Sequence, residues 1–596
     1  MSEKNKTGYP SIDQPWLRQY NREFYESDIP DLSIYQFASE KTKDKRDQIV
    51  IDMRFSKNNF KRGVKISNGK LFKLIEKSAK ANSAIGIKPN EIVPILLPNV
   101  PEARIMLYSN SLIGATSYPM SPLIAPKQLA AILSENEIKN LVIFQPFYEK
   151  YRKVLEESSV DNIIFTDGTA AFPFLLRKFA LKGQIIKGNS KLVSWDEYMK
   201  GSNVSNGEIQ PFYSEGHVAA IVGTSGTTGV PKGVKVTDRN LNTVATGYIN
   251  TRVLDGKFCD ALIPSISYGL SLLHYQVSNG TYTYLIPELI TDKIADLLVT
   301  LQPDTFAGGP VHSINLVNSQ AFKNGKVPKV KDFISGGASL PKDVEKRLNG
   351  VDENYSENGV YNPDILVRQG YALTEITAYG CYNRKGSYKF GTIGIPFPYE
   401  NVGIFKPDTD EELSYGEIGE ICLSGPAVMD GYLNNPEETD KVLKIHSDGQ
   451  KWVHTKDIGY MDEDGYLYHI DRIKDIFMRC GFNVHPSKIS EFLDCLPGVK
   501  ESVVIGIEHP EEQCVPVAFI VPDNSVSSID ELRENVSKEC LESLEESSVP
   551  YDYVFVDELP INLGGKIDKP KILQKANIDF NSNKQIKNHN LSFKQE

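Results

Sequence analysis

The chain has 596 residues, more than one hydrophobic core usually supports, so at least two domains are expected. Its composition is that of an ordinary globular protein, and a formal net charge of −11 argues against nucleic acid as the main partner. Met1–Pro10 is polar and lysine-bearing, and no apolar run approaches the roughly 18 residues a membrane helix needs, so neither an export signal nor an integral membrane segment is expected.

Seven cysteines, odd in number and never at CxxC spacing, fit neither a disulfide framework nor a zinc motif. A reducing cytoplasm is the expected compartment. The nine histidines include no HxxxH pair, so no metal cluster built from side chains alone is expected.

In chain order, the first amphipathic segment is the lysine-rich helix expected around Leu71–Ala81. Glu91–Pro98 (EIVPILLP) reads as a strand. Asn99 then caps a helix with Pro101 in its first turn and Gly114 at its end. Leu141–Phe144 and Ile163–Thr166 read as further buried strands. This alternation argues for an α/β architecture. Residues 200–215 form a polar connection rather than a boundary. Asp462–Ile470 (DEDGYLYHI) reads as a turn at Asp464-Gly465 followed by an alternating strand. The domain boundary is placed near Asp471–Asp475, after which a compact pattern restarts and runs to about residue 575. The last twenty residues, rich in Asn and Lys, read as a disordered tail.

The strongest local signal is Ile221–Gly233, IVGTSGTTGVPKG. An apolar strand (219–222) runs into Thr224, Ser225, Gly226, Thr227, Thr228 and Gly229, then Pro231, Lys232 and a second strand, GVKVT. Glycines let backbone N–H groups approach phosphate oxygens, hydroxyls add donors, and Lys232 adds positive charge. A Walker A loop is excluded, because Lys232 is followed by Gly233 rather than Ser or Thr and the loop joins two strands. A plain hairpin turn is the bland alternative, and the density of Thr, Ser and Gly disfavours it.

TSGTTGVPKG resembles the phosphate-loop signature of the adenylate-forming superfamily, which includes acyl-CoA synthetases, peptide-synthetase adenylation domains and luciferases. The family's other motifs follow in order over roughly residues 60–575. Ser335–Leu340 (SGGASL), with Gly336, Gly337 and Ala338, resembles the segment lining the adenine pocket. Gln369–Glu375 (QGYALTE) is similar to the stretch in which Gln369, Gly370 and Tyr371 meet adenine, Thr374 the α-phosphate, and Glu375 the Mg²⁺. Ala372 stands where glycine is usual. Trp452–Tyr460 resembles the ribose-binding stretch, with Asp457 on the hydroxyls, although Lys456 replaces a frequent glycine. Arg472 matches an arginine on ribose or phosphate. Arg472–Asp475 resembles the hinge, with Asp475 as pivot. Lys474, Gly481 and Phe482 fall where relatives pass CoA, while Lys488 and Ser490 replace a usual Glu pair. Leu559–Ile567 (LPINLGGKI) matches the catalytic-lysine motif and marks Lys566.

The resemblance implies an α/β fold: a large N-terminal domain of packed mixed sheets and helices (1–474), a small mobile α+β C-terminal domain (475–577), and the tail (578–596). It implies an ATP- and Mg²⁺-dependent acid–thiol ligase. A fatty or aryl acid becomes an acyl-adenylate and is then passed to coenzyme A. In such enzymes the acid pocket draws on Ile263–Leu270 and Thr305–Pro310, here contributing Ser267, Tyr268, Gly308 and Gly309. No aspartate stands near the first segment to hold an amino group, so a plain carboxylic acid is expected over an amino acid. Two alternatives are an acyl-AMP ligase loading a separate acyl carrier protein and a non-catalytic nucleotide-binding module.

Overall fold

The computed structural model describes residues 6–56, 60–169, 191–203, 209–224, 232–288, 293–324, 330–349, 367–509, 512–523, 525–561, 567–576 and 590–591. These residues build four mixed sheets with helices packed among them. The expected α/β architecture, a large N-terminal region followed by a smaller α+β one, is what forms. Among the described residues no helix is long and apolar enough to cross a membrane.

Ile92–Leu96 lies in an eight-stranded sheet between parallel partners Thr116–Pro119 and Asn140–Phe144. A strand paired on both edges and covered on both faces needs an unbroken apolar run, and IVPIL supplies one. The same sheet carries the strands that flank the glycine-rich loop, Val218–Gly223 and Gly233–Thr237, paired antiparallel. The helix after Ile92–Leu96 is Pro101–Ile113 and ends at Gly114 with φ 79°. Its N-cap residue is Val100, not Asn99. Asn99 is occupied elsewhere: its Nδ2 donates to the Asp260 carbonyl at 3.0 Å and its Oδ1 accepts from Arg104 at 2.8 Å.

A nine-stranded sheet holds Thr305–Gly308, Asp332–Ser335 and Val367–Tyr371 side by side and parallel. The C-terminal ends of these strands carry the expected acid- and adenine-facing segments. Ligands in open parallel sheets gather at such strand ends.

A third sheet contains Asn401–Phe405, Gly419–Ser424, Leu443–Ile445, Lys451–Met461 and Leu467–Arg472. Glu420 pairs with Ile458 but Cys422 pairs with His454, so Lys451–Met461 bulges between them. This sheet also brings together three side chains that the linear pattern did not single out. Glu420, Cys422 and His454, all buried, bring ligand atoms within 4.8 Å of one another. HxxxH is a helical spacing; here strand alternation supplies two donors and a facing strand the third, a pattern no linear motif records.

The fourth sheet, from Phe477–Arg479 to Asp552–Val556, closes the C-terminal region around Val504, Ala518, Ile520 and Phe555. Of the expected tail, the described residues are Asn590–Leu591, a short strand parallel to Asp552–Val556.

Candidate active site

Thr224 and Lys232 stand at the two ends of the glycine-rich loop, joined by a Thr224 N–H bond to the Lys232 carbonyl at 2.9 Å. Ser225, Gly226, Thr227, Thr228 and Gly229 lie outside the described residues, as does Lys566. The Lys232 ammonium pairs with Glu438 and stands 5.2 Å from the centre of the Tyr432 ring. Hydrogen bonds from Lys232 and Lys441 hold the Glu438 carboxyl down at about 2.

Tyr432 is a residue the motif reading missed. Gly431–Tyr432 pairs with Lys235 and Val234 at the edge of the loop-bearing sheet. The Tyr432 hydroxyl donates to Glu375 Oε1 at 2.7 Å. Burial, then the neighbouring Glu375 charge, pushes this phenol far above its usual range. One aromatic side chain thus connects the loop lysine to the expected metal carboxylate. An isolated GY carries no motif, so only the pairing of distant strands reveals it.

Thr374 opens the 3₁₀ turn Thr374–Ile376 at the end of the nine-stranded sheet. Its hydroxyl lies 3.3 Å from that of Ser267, the first residue of the helix Ser267–Asn279. Beside them, Tyr268 lies against Gly336: a Cβ at Gly336 would stand 3.4 Å from the Tyr268 ring. A Cβ at Gly309 would stand 3.6 Å from the Gly336 carbonyl, and the Gly336 N–H donates to Gly308 at 3.0 Å. The expected acid-pocket residues Ser267, Tyr268, Gly308 and Gly309 are therefore contiguous with Thr374 and Gly336. Gly337 and Ala338 follow, both exposed.

Gly370 pairs with Tyr382 across the sheet. The Gln369 side chain is turned into the protein: Oε1 accepts from the Leu340 N–H at 3.2 Å and Nε2 donates to Glu345 at 2.9 Å. Burial pushes the Glu345 carboxyl up to about 7. Gln369 thereby ties the turn after Ser335 to the helix Lys342–Asn349.

Tyr371 donates its hydroxyl to Asp457 Oδ2 at 2.7 Å. Asp457 is 1% exposed and faces Arg472 directly across the sheet. Its Oδ1 lies 3.1 Å from Arg472 Nε and 3.9 Å from His469 Nε2. The short distance marks an ion pair, and Oδ1 accepts no hydrogen bond among the described residues. Burial pushes the Asp457 carboxyl up, and His469 and Arg472 outweigh it, leaving it below the usual range. Lys456 explains its own departure from glycine: it adopts φ 61°, the left-handed region that glycine favours, with its N–H bonded to Glu420 at 2.9 Å.

Asp475 follows Arg472 in a tight turn, its N–H bonded to the Arg472 carbonyl at 2.9 Å, and its carboxylate receives Lys569 Nζ at 2.7 Å. Lys474 is exposed. Cys480 and Gly481 form the two-residue turn of a hairpin, with φ 49° and 88°. Two positive φ values are the hallmark of the type I′ turn that matches strand twist. Phe482, next in line, is 65% exposed.

Comparison with known proteins places the chain. The family model for AMP-binding enzymes matches residues 38–433, and the model for their C-terminal domain matches residues 488–566. A long-chain-fatty-acid–CoA ligase of Bacillus subtilis is 27% identical over 574 residues, covering 94% of this chain and 98% of the relative. A probable 4-coumarate–CoA ligase of Dictyostelium discoideum is 29% identical, covering 75% and 79%. The crystal structure of ATP-bound MatB from Rhodopseudomonas palustris superposes with a TM-score of 0.75 at 23% identity, covering 93% of this chain and all of that one. With both family models matched in order, the chain belongs to the AMP-binding enzymes, as an adenylate-forming acid–thiol ligase.

Proposed function

We propose that this ligase activates a fatty acid with ATP as the acyl-adenylate and transfers the acyl group to coenzyme A. The observation that carries the reading is the Ser267–Thr374 hydroxyl pair at 3.3 Å. It joins the acid-side helix to the nucleotide-side turn at one point, and adenylation requires carboxylate and α-phosphate to meet at one point. A fatty acid is favoured because the Bacillus subtilis long-chain-fatty-acid–CoA ligase matches over nearly its whole length. The 4-coumarate–CoA ligase match, over a smaller share, favours an aryl acid as the second reading.

In the first half-reaction the carboxylate is already ionised at neutral pH, so no general base is required. The demand is electrostatic, since anions must be brought together. Lys232 leaves Glu438 and joins Thr224–Gly229 around the β- and γ-phosphates. Gly336, Gly337, Ala338, Gly370 and Tyr371 shelter adenine, with Gln369 holding their turn in place. Asp457 offers Oδ1 to the ribose, steadied by Arg472. Thr374 meets the α-phosphate. Glu375 fits Mg²⁺: its Oε1 has one protein donor, Tyr432, and carboxylate oxygens suit a hard cation. Bound there, Mg²⁺ would supply positive charge against the negative charge of the pyrophosphate portion. Lys566 bridges carboxylate and phosphate oxygens.

In the second half-reaction residues 475–577 turn about Asp475, and the Lys474, Gly481 and Phe482 face guides CoA to the mixed anhydride. Steady-state rates across a panel of fatty and aryl acids, with ATP, Mg²⁺ and CoA, test the reading. The highest kcat/KM is expected with a long-chain fatty acid. A preference for cinnamate-type acids transfers the assignment to the aryl reading.

A further inference from the structure

We propose that Glu420, Cys422 and His454 form a binding site for a borderline d-block dication of the Zn²⁺ class, within the third sheet and behind the nucleotide site. Cys422 and His454 are direct partners across antiparallel strands, and Cys422 Sγ lies 3.6 Å from His454 Nδ1. Glu420 Oε2 lies 2.9 Å from the same nitrogen. Two ligands each about 2.0–2.3 Å from a tetrahedral ion stand roughly 3.3–3.8 Å apart, so the thiol and imidazole are already spaced for one, and the carboxylate needs a small outward shift. Thiolate, imidazole and carboxylate together suit Zn²⁺ rather than Mg²⁺ or Ca²⁺.

The surroundings supply what a metal-ligating histidine needs. His446 Nε2 lies 2.9 Å from His454 Nε2, so with Nδ1 on a metal the far N–H of His454 has an acceptor that orients the ring. Trp452 stacks on His446 with 20° between rings, and Phe405 meets it edge-on at 4.7 Å, enclosing the cluster in apolar surface. The turn after His446, residues 447–450, is exposed. On binding, the ion takes the place of the proton on Cys422 Sγ, which passes to solvent; His454 binds through Nδ1 as the neutral ring with its proton on Nε2, and the fourth position is left to water.

The location gives the ion a task. Glu420 Oε1 accepts the Lys456 N–H in the bulge that presents Asp457. A metal on Glu420 Oε2 would lock the strand pair at the base of that bulge.

Titration of the chelator-treated full chain with Co²⁺ tests the site. One Co²⁺ per chain is expected, with a near-ultraviolet thiolate-to-metal absorption band that Zn²⁺ displaces. Cys422→Ser should lose the band, and Cys480→Ser, which alters an exposed thiol, should keep it. In the unaltered protein Zn²⁺ should raise the thermal midpoint, a measurement that stands even if Cys422→Ser folds poorly. No band in the unaltered protein, a band that survives in a folded Cys422→Ser, or a thermal midpoint indifferent to Zn²⁺ would overturn the proposal and leave a hydrogen-bonded Glu–His–His network.

Discussion

At the residue scale the nucleotide side turns on Asp457. Its charge is stabilised by Arg472 and His469, and its Oδ2 by Tyr371. Asp457→Asn keeps the shape and removes the charge. The expected result is a KM for ATP raised tenfold or more and a stability loss of about 1–3 kcal/mol, read by steady-state kinetics and denaturant unfolding. Because the folded carboxyl sits below its unfolded value of 3.8, its contribution is complete above that pH and is lost as pH falls through the folded value. Lys456 makes a second, sharper case. Lys456→Gly should change stability by less than about 1 kcal/mol, since glycine adopts φ 61° without strain and the ion pairs lost are an exposed one with Asp408 and a long one, 3.9 Å, with Glu420. Lys456→Val, β-branched in the left-handed region, should cost more than Lys456→Gly in the same unfolding assay. The motif reading found the position and its oddity. It did not find the reason, because a backbone angle inside a bulge depends on the strand opposite.

At the element scale, much was legible. The run IVPIL, the proline and glycine bounding Pro101–Ile113, and the strands around the glycine-rich loop each follow from local chemistry. What was hidden depends on pairing between distant segments. Tyr432 reaches Glu375 only because Gly431–Tyr432 docks on the loop strand, and Glu420, Cys422 and His454 converge only through sheet register. The Cys480-Gly481 turn is an element with its own prediction. Among the described residues, chain neighbours apart, no atom lies within 4 Å of where a Cβ at Gly481 would stand, so a substitution there meets the strain of φ 88° rather than a clash. Gly481→Val should slow thioester formation while leaving pyrophosphate release largely intact, as separate single-turnover assays of the two half-reactions would register. An equal loss in both would assign the turn to folding alone.

At the scale of the whole molecule, two features govern behaviour. One is acid stability. His274 is buried between Tyr108 and Asn242, and burial pushes its imidazole down to about 3. The unfolded state binds a proton below about 6.5 that the folded state refuses, so stability is complete above that pH and declines as pH falls towards 3. His274→Gln should flatten the fall in unfolding midpoint between pH 6.5 and 4. The other feature is the junction at Asp475, where Lys569 Nζ lies 2.7 Å from the carboxylate of the expected pivot.

The most direct test of the account is product analysis by mass spectrometry after incubation with ATP, Mg²⁺ and a long-chain fatty acid, with and without CoA. The account predicts acyl-adenylate and pyrophosphate without CoA, acyl-CoA and AMP in equal amounts with it, and at least a hundredfold loss of adenylate formation in Lys566→Ala, about the cost of removing one transition-state donor. ADP and phosphate in place of AMP and pyrophosphate, or nucleotide turnover indifferent to added acid, would contradict it.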